Sequence, residues 1–256
     1  MTELLIEIRD GAATVTFNRP ERRNAMSLGL MRKLDAALDD LARDTSVRAV
    51  ILTGAGDKAF GAGLDIKEAA TLSAAEHEEQ HALYEGTQQK LASYPKPLIA
   101  AIEGVAAGGS LQMALHCDLI VVAEGARIGM PELSAGRPCI MGSFLLARSF
   151  GPALAARLVL GQDWIGAAEA EACGLASRRA PQGAALDGAR AYAAKLSATA
   201  PQALAATLAW LRQLRNGGAH SLGDAIAYAD QILPDLATGD EAMAASARFA
   251  GGRGDA

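Results

Sequence analysis

Two glycine-rich segments and one acidic residue carry the chemistry that can be read from this chain. Phe60-Gly61-Ala62-Gly63-Leu64-Asp65-Ile66-Lys67-Glu68 and Gly104-Val105-Ala106-Ala107-Gly108-Gly109 each follow an apolar run of strand length and precede a helical pattern. A helix start leaves its first backbone N–H groups without intrahelical acceptors. Glycine lets another group come close to the main chain. Two such starts on adjacent strands can aim two N–H donors at one oxygen, which makes an oxyanion hole. Downstream, Pro131-Glu132 offers a carboxylate that could move a proton.

Three other motifs fail on context. His77-Glu78-Glu79-Gln80-His81 has the HExxH spacing that puts two zinc ligands on one helix face. Ser73–Gln80 is mostly polar and no third ligand follows, so a solvated helix face is expected and no metal site. Gly54-Ala55-Gly56-Asp57-Lys58-Ala59 follows a strand but runs into Phe60-Gly61 instead of opening a helix. No acidic residue closes a second strand about 20 residues on, as a dinucleotide site requires. Gly108-Gly109-Ser110-Leu111-Gln112 is one glycine short of a nucleophile elbow, with no His and Asp suitably ordered behind it. Ser110 therefore reads as a small helix-start residue. Taken alone, Glu132 reads as a surface carboxylate after a proline and Gln112 as a polar helix side chain.

The elements that must position these groups alternate between strand and helix. Leu4–Ile8 and Ala13–Phe17 flank Asp10-Gly11, a hairpin signal. Ser27 can cap a helix carrying Leu30, Leu34, Leu38 and Leu41 at helical spacing. Val47–Thr53, Leu98–Ile102 and Leu119–Ala123 are continuous apolar runs, as in strands covered on both faces. Gly54–Gly63 reads as a long loop, Asp65–Leu91 as a polar helix and Ser110–His116 as a short one. Leu175–Arg178 is the last strand candidate. From Thr199 on the pattern is helical, with Pro201 in a first turn. Ser221–Asp224 and Thr238–Glu241 match capping-box spacing, and Gly251–Ala256 reads as a frayed tail. The alternation predicts an α/β fold, with a soft boundary near residue 198.

Composition sets outer limits. The chain has 256 residues, half of them hydrophobic, with 27 glycines and a net charge of −5. That excludes wholesale disorder and gives no electrostatic footprint for sequence-independent nucleic-acid binding. Cys117, Cys139 and Cys173 are too scattered for a disulfide framework or a CxxC metal site. No apolar run reaches the roughly 20 residues of a membrane span, and residues 1–10 carry no secretory pattern. A cytoplasmic setting is the expectation.

Taken together, these segments resemble the crotonase, or enoyl-CoA hydratase/isomerase, superfamily. The resemblance rests on Asn18-Arg19-Pro20 with Asn24-Ala25, on Ala62–Glu68, and on Glu103-Gly104 through Gly108-Gly109. It continues through Cys117-Asp118 and Gly129-Met130-Pro131-Glu132 into the alanine-rich helical tail. It implies a spiral of ββα units in a catalytic core, residues 1–198, and a helical oligomerisation region, residues 199–256, that assembles trimers or hexamers. It also implies a coenzyme A thioester as substrate, with no permanently bound cofactor. The thioester oxygen would sit between the Leu64 and Gly109 N–H groups, and Glu132 would act as acid and base. Gln112 stands where family hydratases place a second glutamate. An amide can hold a water but cannot take its proton, so double-bond isomerisation by Glu132 alone is expected ahead of hydration. A catalytically weak acyl-CoA-binding protein is the alternative. The turn after Glu132 also departs from the family's, reading Gly136-Arg137-Pro138-Cys139-Ile140-Met141-Gly142. Arg22, Arg23 and Lys67 are the cations expected to face coenzyme A phosphates, and Ala25, Ala62, Asp65 and Ile66 complete the implied coenzyme A contacts.

Overall fold

The computed structural model describes residues 2–218, 220–237, 239, 241, 243 and 244. The first two strands, β1 (Leu4–Arg9) and β2 (Ala12–Phe17), pair antiparallel around Asp10 and Gly11, whose φ angles are 52° and 77°. Both turn residues are left-handed, as a two-residue hairpin matched to the strand twist requires. Ser27 caps α1 (Leu28–Arg43) by accepting the Leu30 N–H, and Leu30, Leu34, Leu38 and Leu41 form its buried stripe.

Three strand pairs follow, each leading into helix or turn. β3 (Ala49–Gly54) and β4 (Ala59–Gly61) lead into α2 (Ile66–Ala69) and α3 (Ala74–Ala92). Then β5 (Leu98–Ile102) and β6 (Val105–Ala107) lead into α4 (Gly108–Leu115). β7 (Leu119–Ala123) and β8 (Arg127–Gly129) lead through a 3-10 turn, Glu132–Ala135, into α5 (Ile140–Phe150) and α6 (Pro152–Val159). The first strand of each pair joins a six-stranded sheet ordered β1-β2-β3-β5-β7-β10, and the second joins a four-stranded sheet ordered β4-β6-β8-β9. This is the expected spiral of ββα units. β9 (Trp164–Gly166), α7 (Ala167–Ala172), β10 (Arg178–Ala180) and α8 (Ala185–Ser197) complete it. α9 (Pro201–Asn216) and α10 (Leu222–Ala237) follow.

Strand alternation divides the core. Val50, Leu52, Leu98, Ala100 and Ile102 face α1 and the inner helices, while Ala49, Ile51, Ile99 and Ala101 face α8. The α8 face is built from Ala185, Ala189 and Ala193, small side chains that let the helix lie close to the sheet. Buried Glu103 accepts the N–H groups of Gly183 and Ala185, so it satisfies orphan donors at the start of α8.

Several expectations need correction. Gly54–Gly63 is not all loop, because it contains β4. The helix expected over Asp65–Leu91 is broken at Ala70–Ser73, where Ser73 and Glu76 form a capping box that restarts it as α3. The last strand lies at Arg178–Ala180 rather than Leu175–Arg178, and β9 was not foreseen. Ser221 and Asp224 do exchange capping hydrogen bonds at 3.1 and 2.9 Å. Thr238 and Asp240 of the second capping match, and the tail 251–256, lie outside the described residues. No helix among the described residues is long and apolar enough to cross a membrane.

Candidate active site

The first glycine loop is held in place by the segment before α1. Asn24 is buried with φ 54°, and its Nδ2 donates to the carbonyls of Ala55 and Ala59 at 3.0 and 2.7 Å. Its Oδ1 accepts the Arg19 N–H. Met26 then forms a parallel bridge with Leu64: its N–H donates to the Gly63 carbonyl and its carbonyl accepts the Asp65 N–H. Alternate residues of such a ladder bond on opposite sides. The Leu64 N–H therefore points away from Met26, and among the described residues it donates to nothing. Asp65 caps α2 through the Glu68 N–H and pairs with Arg19 at 2.9 Å. Burial opposes its charge, but the Glu68 N–H and the Arg19 guanidinium more than offset this and hold its carboxyl below the usual range.

The second loop is clasped to the first. Gly63 donates its N–H to Ser110 Oγ at 3.0 Å, so the helix-start serine is the fastener. A Cβ at Gly61 would lie 2.4 Å from that same oxygen, and a Cβ at Gly63 would lie 3.3 Å from the Gly109 nitrogen. The glycines are thus required by close approach. Gly109 is the second residue of α4, so its N–H has no carbonyl one turn below it. Leu64 and Gly109 therefore come together as two backbone donors on neighbouring loops.

Glu132 faces this pair. A Cβ at Gly108 would lie 3.4 Å from Glu132 Oε1. The same Oε1 accepts the Gln112 amide at 2.9 Å. Glu132 Oε2 is buried and takes no hydrogen bond among the described residues. Gln112 Oε1 accepts from Tyr84 Oη at 2.6 Å and from Gln88 Nε2 at 3.3 Å. Gln88 Oε1 lies 2.5 Å from His116 Nε2. Burial, reinforced by Arg215 and Arg212, lowers the His116 pKa to about 4, so the ring is neutral near pH 7. Burial, the neighbouring Glu132 charge and a thiol hydrogen bond to the Glu132 carboxylate push the Cys139 thiol up to about 12. Burial likewise raises the Tyr84 phenol, leaving it a donor rather than a base.

These groups line a cavity of about 450 Å³ that includes Leu64, Ile66, Tyr84, Gly109, Gln112 and Glu132. Of the expected coenzyme A contacts, Ala62 and Ile66 line it. Asp65 is turned to Arg19, and Ala25 is buried with its carbonyl bound by the same arginine. Arg22, Arg23 and Lys67 stand exposed outside the lining. His81 pairs with Glu85 at the rim rather than with His77, and no group of three or more metal-ligating side chains converges among the described residues. Sequence reading missed Tyr84, Gln88, His116 and Arg19. The first two lie one turn apart on α3, and nothing local marks them, because their partner is 24–28 residues away.

Residues 7–222 match the enoyl-CoA hydratase/isomerase family. The chain belongs to that family. It is 41% identical over 207 residues to a Thermus thermophilus protein provisionally named an enoyl-CoA hydratase, covering 79% of this chain and 81% of that one. It is 36% identical over 216 residues to the 2,3-dehydroadipyl-CoA hydratase of Escherichia coli, covering 83% of each. The enoyl-CoA hydratase structure from Bacillus anthracis superposes with a TM-score of 0.89 at 27% identity, covering 98% of this chain and 97% of that one. In this enoyl-CoA hydratase/isomerase family member, the paired loops and the carboxylate form one wall of a single cavity.

Proposed function

We propose that this enzyme shifts the double bond of an enoyl-CoA thioester, with Glu132 as its only acid–base group. The observation that carries the reading is the asymmetry at Glu132. One oxygen is fixed by an amide, the other is buried and unbonded among the described residues, and the cavity's other carboxylate, Glu85, is paired with His81 at the rim. The Glu132 carboxylate takes a proton from the α-carbon, and electron density flows onto the thioester oxygen. The N–H groups of Leu64 and Gly109 stabilise that dienolate, a contribution typically worth about 3–4 kcal/mol per donor. Glu132 then returns the proton at the γ-carbon, which leaves the double bond conjugated and the enzyme unchanged.

Hydration is the second reading. It is favoured by the names of the relatives and by Gln112, whose remaining amide N–H can hold a water beside Glu132. The water oxygen would attack the β-carbon while Glu132 takes its proton and passes it to the α-carbon. The test is product analysis by NMR with a 3-enoyl-CoA and a 2-enoyl-CoA ester. Conjugated product from the first supports isomerisation, and 3-hydroxyacyl-CoA from the second supports hydration. Binding of both without turnover would leave an acyl-CoA-binding protein.

Arg22, Arg23 and Lys67, exposed near the first loop, would meet the coenzyme A phosphates, and the substrate itself supplies the only coenzyme. Residues 1–198 form the catalytic core in this reading, and residues 199–256 the oligomerisation region. Leu211, Ile226 and Leu233 expose more than half of their surface, which supports assembly as a trimer or hexamer. A cytoplasmic location fits an enzyme whose thiols are free.

A further inference from the structure

The hydrogen bonds behind Glu132 all run in one direction. An ionised carboxylate only accepts, so the Gln112 NH2 must face Glu132 Oε1. Gln112 Oε1 then faces Tyr84 and Gln88, and both of its lone pairs are taken. Gln88 must present its NH2 to Gln112, so its own Oε1 faces His116, and His116 Nε2 must carry the hydrogen. Every donor points towards the carboxylate. Tyr84, Gln88, Gln112 and His116 are all buried, so none can exchange a lost partner for bulk water.

This matters halfway through a turnover, when Glu132 is a neutral acid. A carboxylic O–H seeks an acceptor, and the nearest strong one would be the Gln112 carbonyl if the amide turned over. The proton would then be held in a hydrogen bond to Gln112 instead of being free to pass to the substrate. Turning Gln112 sets its NH2 against the NH2 of Gln88. Turning Gln88 in response sets its NH2 against the N–H of His116. The flip must pass through every member or leave buried donors facing each other.

We propose that Tyr84, Gln88 and His116 are positioning residues that lock the polarity of Gln112 and so keep the Glu132 proton from being captured by the Gln112 carbonyl instead of passing to the substrate. The proposal rests on Glu132 being the acid–base group, and it holds for isomerisation and hydration alike, because both place one proton on Glu132 per turnover. The test is a double-mutant cycle on whichever reaction the unmodified enzyme runs, with kcat referred to the concentration of acyl-CoA-binding sites so that misfolded protein does not count. Tyr84→Phe should lower kcat roughly fivefold to tenfold with KM within about twofold, the scale of one hydrogen bond to a buried acceptor. Gln112→Leu should lower kcat at least as much. Adding Tyr84→Phe to Gln112→Leu should change kcat less than about twofold, because Tyr84 acts only through that amide. Gln88→Met, a second entry to the same lock, should repeat the pattern. Multiplicative losses in the double variants would put Tyr84 on the substrate itself and overturn the lock, as would a Tyr84→Phe enzyme with unchanged kcat. An unmodified enzyme that turns over neither ester would remove the reading of Glu132 and the lock with it, whereas turnover with multiplicative losses removes the lock alone.

Discussion

The wall of α3 and α4 behind Glu132 and the helix pair α9–α10 enclose cavities of similar size, about 450 Å³ each, with opposite contents. The wall is a hydrogen-bonded array in which each polar side chain from His116 to Gln112 has a partner. Beyond it Glu132 lines the cavity, with its Oε2 buried and unbonded among the described residues, as are Gln80 Nε2 and Thr87 Oγ1 on α3. The helix pair is lined by alanines, leucines, Ile232, Thr207 and the stacked rings of Trp210 and Tyr228, with no carboxylate or imidazole among the described lining residues. Its outer residues Leu222, Ile226 and Leu233 remain exposed. Convergent polar groups around an acid in a cavity mark a place for substrate, while an uncovered apolar face marks a place for protein. Cavity volume alone does not distinguish them.

The sharpest way to break the wall is at Glu132. Glu132→Gln keeps the shape and removes the base, so kcat should fall roughly 10²–10⁴-fold. Coenzyme A affinity, measured by calorimetry, should stay within about twofold, because the loss falls on the transition state. A variant with near-normal kcat would transfer the acid–base role elsewhere.

Next in size is the loss of one backbone donor. Gly109→Pro removes the N–H and should cost at least about 10²-fold in kcat. It also introduces a Cβ, which at this site would lie 2.9 Å from Met26 Cε and 3.1 Å from the Tyr84 ring. Gly109→Ala carries the same Cβ and keeps the donor, so the difference between the two variants isolates the hydrogen bond. Equal activities would remove Gly109 from the oxyanion hole.

Much of this was legible in the chain because the signals are local. Asp10-Gly11 specifies its hairpin, Ser27 specifies its cap, and Leu98–Ile102 and Leu119–Ala123 are strands with the bounds their apolar runs suggest. The short strands β4, β6, β8 and β9 were not legible, since three residues are too few to carry a period. Ser73 and Glu76 did offer a capping signal, hidden inside a uniformly polar run. Glu132, Gly109 and Leu64 could be placed only through a resemblance spread over the chain. The lock was illegible for a different reason. A tyrosine, two glutamines and a histidine have no sequence spacing in common, and only the packing of α3 against α4 brings them together.

The helix pair breaks by charge. Ile226→Asp with Leu233→Asp puts two carboxylates on the exposed apolar face. By light scattering, the unmodified protein should have the mass of a trimer or a multiple of it, and the variant about one third of the trimer mass. Because Glu132 and its loops lie in other elements, the acid–base chemistry should change less than in the wall variants. A monomeric unmodified protein at micromolar concentration would refute assembly through this face.

The smallest expected effect comes from making the wall resemble a two-glutamate hydratase. In Gln112→Glu, one carboxylate oxygen can keep the hydrogen bonds from Tyr84 and Gln88, so the anchor survives. The other would replace the amide nitrogen now 2.9 Å from Glu132 Oε1. Two carboxylates so close cannot both ionise, and they should share one proton, with one pKa raised strongly. The shared proton supplies an acid next to a base. Hydration of a short 2-enoyl-CoA should therefore rise a few-fold, while isomerisation falls, because Glu132 is no longer a fully ionised base. Room for the water is the limiting factor: a Cβ at Gly142 would lie 3.1 Å from Gln112 Nε2 and 2.6 Å from Cys139 Sγ, so the wall is already tight there. If hydration falls in this variant while the unmodified enzyme hydrates well, Gln112 is itself the better water holder. The donor polarity of the wall, rather than a second acid, would then be what this enzyme uses.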